Sequence, residues 1–311
     1  MTKRTLRIEY GKFLVEMGKK YPNLIVLDGD LKESTQTVQF QEKFPERFIE
    51  GGVAEQNMFD VAAGLALGGK LPVVHTFACF ASMRACEQIR TSICYPKLNV
   101  KIVVSHGGVS SGSAGTTHHS IEDIAIMRSL ANMTIIAPGD TKEMRQAVEQ
   151  AFALEGPVYI RLVAGEFEDV YEDKHNFFIG KATELRDGND ATIITTGTLM
   201  YEGVKASEIL LKDYGIKTRV LQMASIKPID KEAIIRAAED TEHIITIEEH
   251  NIIGGLGSSV CEIIAEIGKG RVKRIGINDH FCETGSHSYL LNKEGITIDS
   301  IIKCIKELLK I

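Results

Sequence analysis

Residues Val100–Asp140 read VKIVVSHGGVSSGSAGTTHHSIEDIAIMRSLANMTIIAPGD, and the order of patterns within them decides the fold class. "VKIVVS" is a short apolar run rich in β-branched residues, the form of a strand covered on both faces. The glycine- and hydroxyl-rich stretch after it keeps neither period, so Ser105 to Asp123 reads as a long loop. A helical pattern over 121–130 follows, then a second strand at "MTIIAPGD". Strand, helix and strand in this order form a β-α-β unit, which implies parallel strands. Ser120 and Asp123 fit a Ser-x-x-acid helix start, and a capping box is expected there.

The same alternation extends outward. "NLIVLDGD", "LPVVHTF" and "PVYIRLV" read as strands, with helical patterns at 53–68, 80–95 and 141–154. Residues 166–190 are charged and aperiodic, which suits a linker carrying a short β-excursion. Alternation resumes with "ATIITTGT", "KTRVLQMAS", "HIITIEEH" and "KRIGIND", separated by helical patterns near 200–214, 229–240 and 255–268. An amphipathic segment, "TIDSIIKCIKELLKI", closes the chain. The expectation is two α/β domains, each a parallel sheet with helices on both faces, joined near residue 180.

The 311 residues suffice for two domains, at roughly 150 residues each. A net charge of −6 gives no electrostatic case for nucleic acid or a membrane surface. The N-terminus lacks the apolar core of a secretory signal, and no apolar run approaches the ~20 residues that span a bilayer. None of the six cysteines falls in a CxxC pair, so reduced thiols in the cytoplasm are expected, with no metal site and no disulfide.

In parallel sheets ligands sit beyond the carboxyl ends of the strands, which directs attention to Asp28–Asp30, His75–Phe80, Ser105–His119 and Ala137–Asp140. Three histidines, His106, His118 and His119, share one glycine-rich strand-end loop. Phe77 and Phe80 stand at a strand-to-helix turn, where they suit either a core or stacking on a flat ring. "GGLGS" at 254–258 has the look of a phosphate-binding turn but not the GxGxxG spacing. "EGGVAEQNMF" places Glu55 in the first turn of a helix, either as a solvated charge that favours the helix dipole or as a buried acid.

Taken in order, "EGGVAEQNM", "HTFACF", "GTTHHSIEDIAIMRSLANMTIIAPGD", "GPVYIRL" and "IEEHNIIGGLGSSVCE" resemble the C-terminal part of the thiamine-diphosphate-dependent transketolases, over nearly the whole chain. The resemblance implies a pyrimidine-binding domain at 1–170, a linker at 171–187 and a transketolase C-terminal domain at 188–311. It also implies a separate N-terminal subunit that carries Mg²⁺ and the cofactor diphosphate, in an α2β2 heterotetramer. By the same resemblance, Glu55 shares a proton with the N1′ nitrogen of the cofactor aminopyrimidine. Phe77 and Phe80 flank that ring, with Asp30 and Arg84 beside the cofactor. Arg7 and Ser34 hold the phosphate end of the sugar, and His106 and His118 line the substrate channel, His118 with a catalytic role. Two positions depart from the family pattern: Ala114 stands where an aspartate reads a sugar hydroxyl, and Ala164 where an arginine binds substrate phosphate. The expected reaction is ketol transfer between sugars of the pentose phosphate type, with a modified ketose suggested by the two alanines. The alternatives are the β subunit of a 2-oxo acid dehydrogenase E1, which shares this domain pair, and a non-catalytic partner subunit.

Overall fold

The computed structural model describes residues 4–171 and 175–311. The first half runs β1 (Arg4–Thr5), α1 (Leu6–Lys20), β2 (Leu24–Asp28), α2 (Lys32–Thr35), α3 (Val38–Lys43), β3 (Phe48–Glu50), α4 (Glu55–Leu67), β4 (Leu71–Phe77), α5 (Cys86–Gln88), β5 (Lys101–Ser105), α6 (Asp123–Ser129), β6 (Thr134–Ile136), α7 (Thr141–Ala153), β7 (Val158–Arg161) and β8 (Glu166–Phe167). The second runs β9 (Thr183–Arg186), β10 (Ala191–Thr195), α8 (Met200–Tyr214), β11 (Thr218–Gln222), β12 (Ser225–Lys227), α9 (Lys231–Thr241), β13 (His243–Asn251), α10 (Leu256–Ile267), β14 (Arg271–Ile277), α11 (His287–Lys293) and α12 (Ile298–Leu309).

The expected α/β architecture is present. One sheet has the order β12-β6-β7-β5-β4-β2-β3 and the other β14-β13-β10-β11-β9. Both are parallel except at one edge, where β12 pairs antiparallel with β6 and β9 with β11. On one face of the first sheet, α1 and α7 bury Tyr10, Phe13, Leu14, Met144 and Val148 against Val26, Val73 and Ile160. On the other face, the Met58, Phe59 and Ile124 layer merges with Met223, Ile234 and Val260 of the second half, so one core spans both halves. The last helix buries Ile301 and Ile305, one turn apart, each contributing about 1.5–3 kcal/mol.

Register positions the site. Asp28 lies opposite His75, and Phe77 opposite Ser105, so the loops leaving β2, β4 and β5 emerge side by side.

Several features depart from expectation. Leu6–Lys20, to which the sequence reading assigns no element, is helical and buries Leu6, Tyr10, Phe13, Leu14 and Met17 on one face. The pattern at 80–95 is wound in wide π-type turns, with Tyr95 N–H donating to the Arg90 carbonyl. Such turns are frequent at functional sites. The capping box is absent: Asp123 turns inward to Arg161, and the Ser120 hydroxyl is buried with no partner.

Candidate active site at the strand ends

Glu55 is the first residue of α4 and follows the turn Glu50–Gly51–Gly52. Gly52 has φ +65°, a left-handed conformation that favours glycine. Glu50 steadies the turn, its carboxylate accepting from the N–H of Asp30 (2.8 Å) and of Gly52 (3.2 Å). Glu55 is 3% exposed while Val53 beside it is 71% exposed. The carboxyl group therefore points inward, at a helix start whose dipole favours negative charge.

From Glu55 a line of contacts crosses the site. Arg84 donates to its carboxylate at 3.0 Å and lies 3.8 Å above the Phe80 ring. Phe80 stacks on Phe77 with centroids 5.6 Å apart and planes 17° apart. Phe77 meets His106 at 4.0 Å, and Phe80 meets His118 edge-on at 5.3 Å. Phe77, Cys79 and Phe80, with Leu31 against them, form a small apolar cluster of their own.

His106 has φ +60°, uncommon for a residue with a side chain, and Ser105 Oγ lies 2.8 Å from its Nδ1. Burial pushes its pKa down to about 4, with the charge of Arg7 and the proximity of His118 adding to the effect. The imidazole is therefore neutral at neutral pH, with one donor and one acceptor. Arg7 donates to the Ser34 carbonyl at 2.9 Å, while its Nε is buried without a partner. Burial lowers its pKa.

The structure thus joins Glu55, Arg84, Phe80, Phe77, His106 and His118 in one row and sets Arg7 against Ser34. Asp30 stands apart: it is exposed, with φ +63°, and bonds Glu50 through its backbone. Ala114 is exposed, and the Ala164 N–H donates to Ser110 Oγ at 3.1 Å.

The "GGLGS" turn holds no room for phosphate. Glu248 fills the α10 N-terminus, accepting from Leu256 N–H (2.7 Å) and Gly257 N–H (2.8 Å). A Cβ on Gly255 would lie 2.0 Å from that carboxylate, so close approach explains the glycine. All six cysteines are free thiols. Among the described residues, His280, Cys282 and Glu294 bring three potential ligand atoms within 4.8 Å of one another, where His280 and Glu294 already pair at 2.9 Å.

Residues 3–167 match the transketolase pyrimidine binding domain and residues 180–301 the transketolase C-terminal domain. The chain belongs to the transketolase family. It is 40% identical to the 6-deoxy-6-sulfo-D-fructose transketolase subunit SqwH of Clostridium sp. (strain MSTE9), covering 97% of this chain and 94% of that one. It is 41% identical to an apulose-4-phosphate transketolase subunit of Phocaeicola vulgatus, covering 91% and 92%. The solved structure of a split-gene transketolase in an inactive beta4 tetramer superimposes with a TM-score of 0.90 at 43% identity, over 98% of both chains. These matches favour transketolase over a dehydrogenase E1 subunit.

Three residues of this transketolase chain bear on the site although no local sequence pattern marks them as site residues. Asp123 and Arg161 pair at 2.8 Å beneath the histidine loop. Glu249 accepts at 2.8 Å from Val109 N–H, within that loop. The signal for Glu249 is two adjacent acids in an apolar strand, "IITIEEHN", which marks buried carboxylates but not their partners.

Proposed function

We propose that the chain is the C-terminal subunit of a two-chain transketolase, which moves a two-carbon ketol unit from a ketose donor to an aldose acceptor. The observation that carries this is the row from buried Glu55 through Arg84 to the Phe77–Phe80 stack and the two loop histidines. A buried carboxyl group close to a stacked pair of aromatic rings suits thiamine diphosphate, whose own chemistry is to stabilise a carbanion equivalent at carbon.

In this reading Glu55, buried at the start of α4, shares a proton with the N1′ nitrogen of the aminopyrimidine. Phe77 and Phe80 would pack along that ring, Arg84 would lie at the end of the row beside Glu55, and Asp30, set outside the row, would approach the cofactor from the β2 loop. His106, kept neutral by burial, and His118 exchange hydrogen bonds with substrate oxygens. Arg7, with an unpaired Nε–H, and Ser34 take the anionic end of the sugar. Mg²⁺ and the diphosphate fall to the partner subunit, since this sequence lacks a Gly-Asp-Gly motif. The assembly proposed is an α2β2 heterotetramer in the cytoplasm. No helix among the described residues is long and apolar enough to cross a membrane. The proposed division is a pyrimidine-binding domain at 1–170, a linker at 171–187 and a C-terminal domain at 188–311. Within that linker 172–174 lie outside the described residues, and β9 (Thr183–Arg186) already pairs into the second sheet.

The proposed donor is a modified ketose rather than a pentose phosphate. Ala114 and Ala164 remove two polar contacts expected in the family, and one charge-assisted contact is worth about 1.5–3 kcal/mol. Two relatives named for a sulfonated fructose and for apulose 4-phosphate support this. The test combines both subunits with thiamine diphosphate and Mg²⁺ and compares kcat/KM across ketoses. Sulfonated or branched ketoses are expected to exceed xylulose 5-phosphate, and the reverse order overturns the substrate assignment.

A further inference from the structure

The histidine loop is held from the second half of the chain. Val109 and Ile121, near its two ends, are buried in the core formed by Ile193, Ile247, Leu290 and Ile301. Between them the loop touches the segment before α11. Thr116 Oγ1 donates to the Cys282 carbonyl at 2.8 Å, and a Cβ on Gly112 would lie 3.0 Å from the Gly285 carbonyl oxygen.

Glu249 is the meeting point. It is 4% exposed, and one oxygen accepts from Val109 N–H at 2.8 Å and lies 3.0 Å from His287 Nε2. Gly108 faces it so closely that a Cβ there would lie 2.4 Å from the same oxygen. Arg161 ties the base, donating to the carbonyls of Ser120 (3.1 Å) and Glu249 (3.0 Å). Burial lowers the His287 pKa, but the charge and hydrogen bond of Glu249, with Glu202 behind, leave it raised, which favours the charged ring beside Glu249.

We propose that Glu249, oriented by His287, is a positioning residue that holds the 106–118 loop so that His106 and His118 stay against Phe77 and Phe80. The C-terminal half is thereby a working part of the catalytic centre rather than packing alone. The catalytic consequence rests on the transketolase reading; the loop-holding role does not.

The experiment uses the full chain, with its partner for kinetics, and compares wild type with Glu249→Ala, Glu249→Gln and His287→Ala. Hydrogen–deuterium exchange of the 106–120 backbone is read on the chain alone, with 101–105 as internal reference. Glu249→Ala removes the acceptor, so exchange in 106–120 is expected to rise about tenfold or more while 101–105 is unchanged. With the partner, kcat is expected to fall about ten- to a hundredfold with donor KM within about twofold, the mark of misplaced catalytic groups. Glu249→Gln keeps an oxygen facing Val109 and is expected to restore exchange and kcat to within about threefold of wild type. His287→Ala, which removes a partly exposed ring, provides the same readout with a smaller effect if Glu249→Ala does not fold. Unchanged loop exchange in both alanine variants overturns the proposal, as does faster exchange with unchanged kcat. If wild type shows no ketol transfer while the exchange difference stands, the transketolase reading fails and the loop-holding role survives.

Discussion

At the scale of single residues, the site rests on charges taken out of water. Asp123 is fully buried and meets Arg161 through two oxygens, at 2.8 and 3.1 Å, with Tyr159 donating to the same carboxylate at 2.8 Å. Removing one partner leaves the other charge uncompensated, so Asp123→Ala is expected to lower stability by about 3–5 kcal/mol in urea denaturation. The exposed Arg145–Glu16 pair is expected to contribute under about 1 kcal/mol by the same measurement. Lys101 offers a pH-dependent check. It is fully buried, its Nζ donating to the carbonyls of Leu154 (2.6 Å) and Gly156 (2.8 Å). Burial pushes its pKa down to about 7, against an ordinary value of 10.5 for the side chain in water. Between these values the unfolded chain binds a proton that the native chain does not, so this group makes stability rise with pH across that window. Urea midpoints measured from pH 7 to 10 are expected to rise more steeply in wild type than in Lys101→Met. Parallel profiles would contradict the assignment.

At the scale of elements, β12 joins the halves: a strand from the second half completes the first sheet beside β6. A fragment ending at residue 180 would leave β6 as an open edge and uncover the core shared with Met223 and Ile226. It is expected to associate or aggregate, and light scattering would reveal this; a stable monomer would contradict the shared core. The limits of the sequence follow from the same geometry. The α/β alternation is legible because β5, α6 and β6 carry their periods locally. The helix Leu6–Lys20 is less so, because its basic residues invite comparison with a targeting signal although its apolar spacing is helical. Asp123 reads as a cap in sequence because its partner Arg161 lies 38 positions away, beyond any local pattern. The cluster of Phe77, Phe80, His106 and His118 is anticipated through family resemblance, whereas the Glu249 contact bridges 140 positions and leaves no local trace of its partner.

At the scale of the whole molecule, the Glu55 region looks unfinished. Val53 is 71% exposed and Met83, next to Arg84, is 52% exposed, and a depression of about 560 Å³ lies between Val53, Glu55, Asn57 and Arg84. Apolar surface of this kind marks interaction sites. The isolated chain is expected to self-associate and show no ketol transfer, and light scattering with an activity assay checks both. Full turnover by this chain without a partner would contradict the two-chain reading. The central claim is that buried Glu55 shares a proton with the cofactor ring. Its most direct measurement is the ketol-transfer rate of the reconstituted pair carrying Glu55→Ala beside wild type, with folding verified by circular dichroism. A fall in kcat of about 10²–10⁴-fold is predicted; a mixture as fast as wild type would contradict the account.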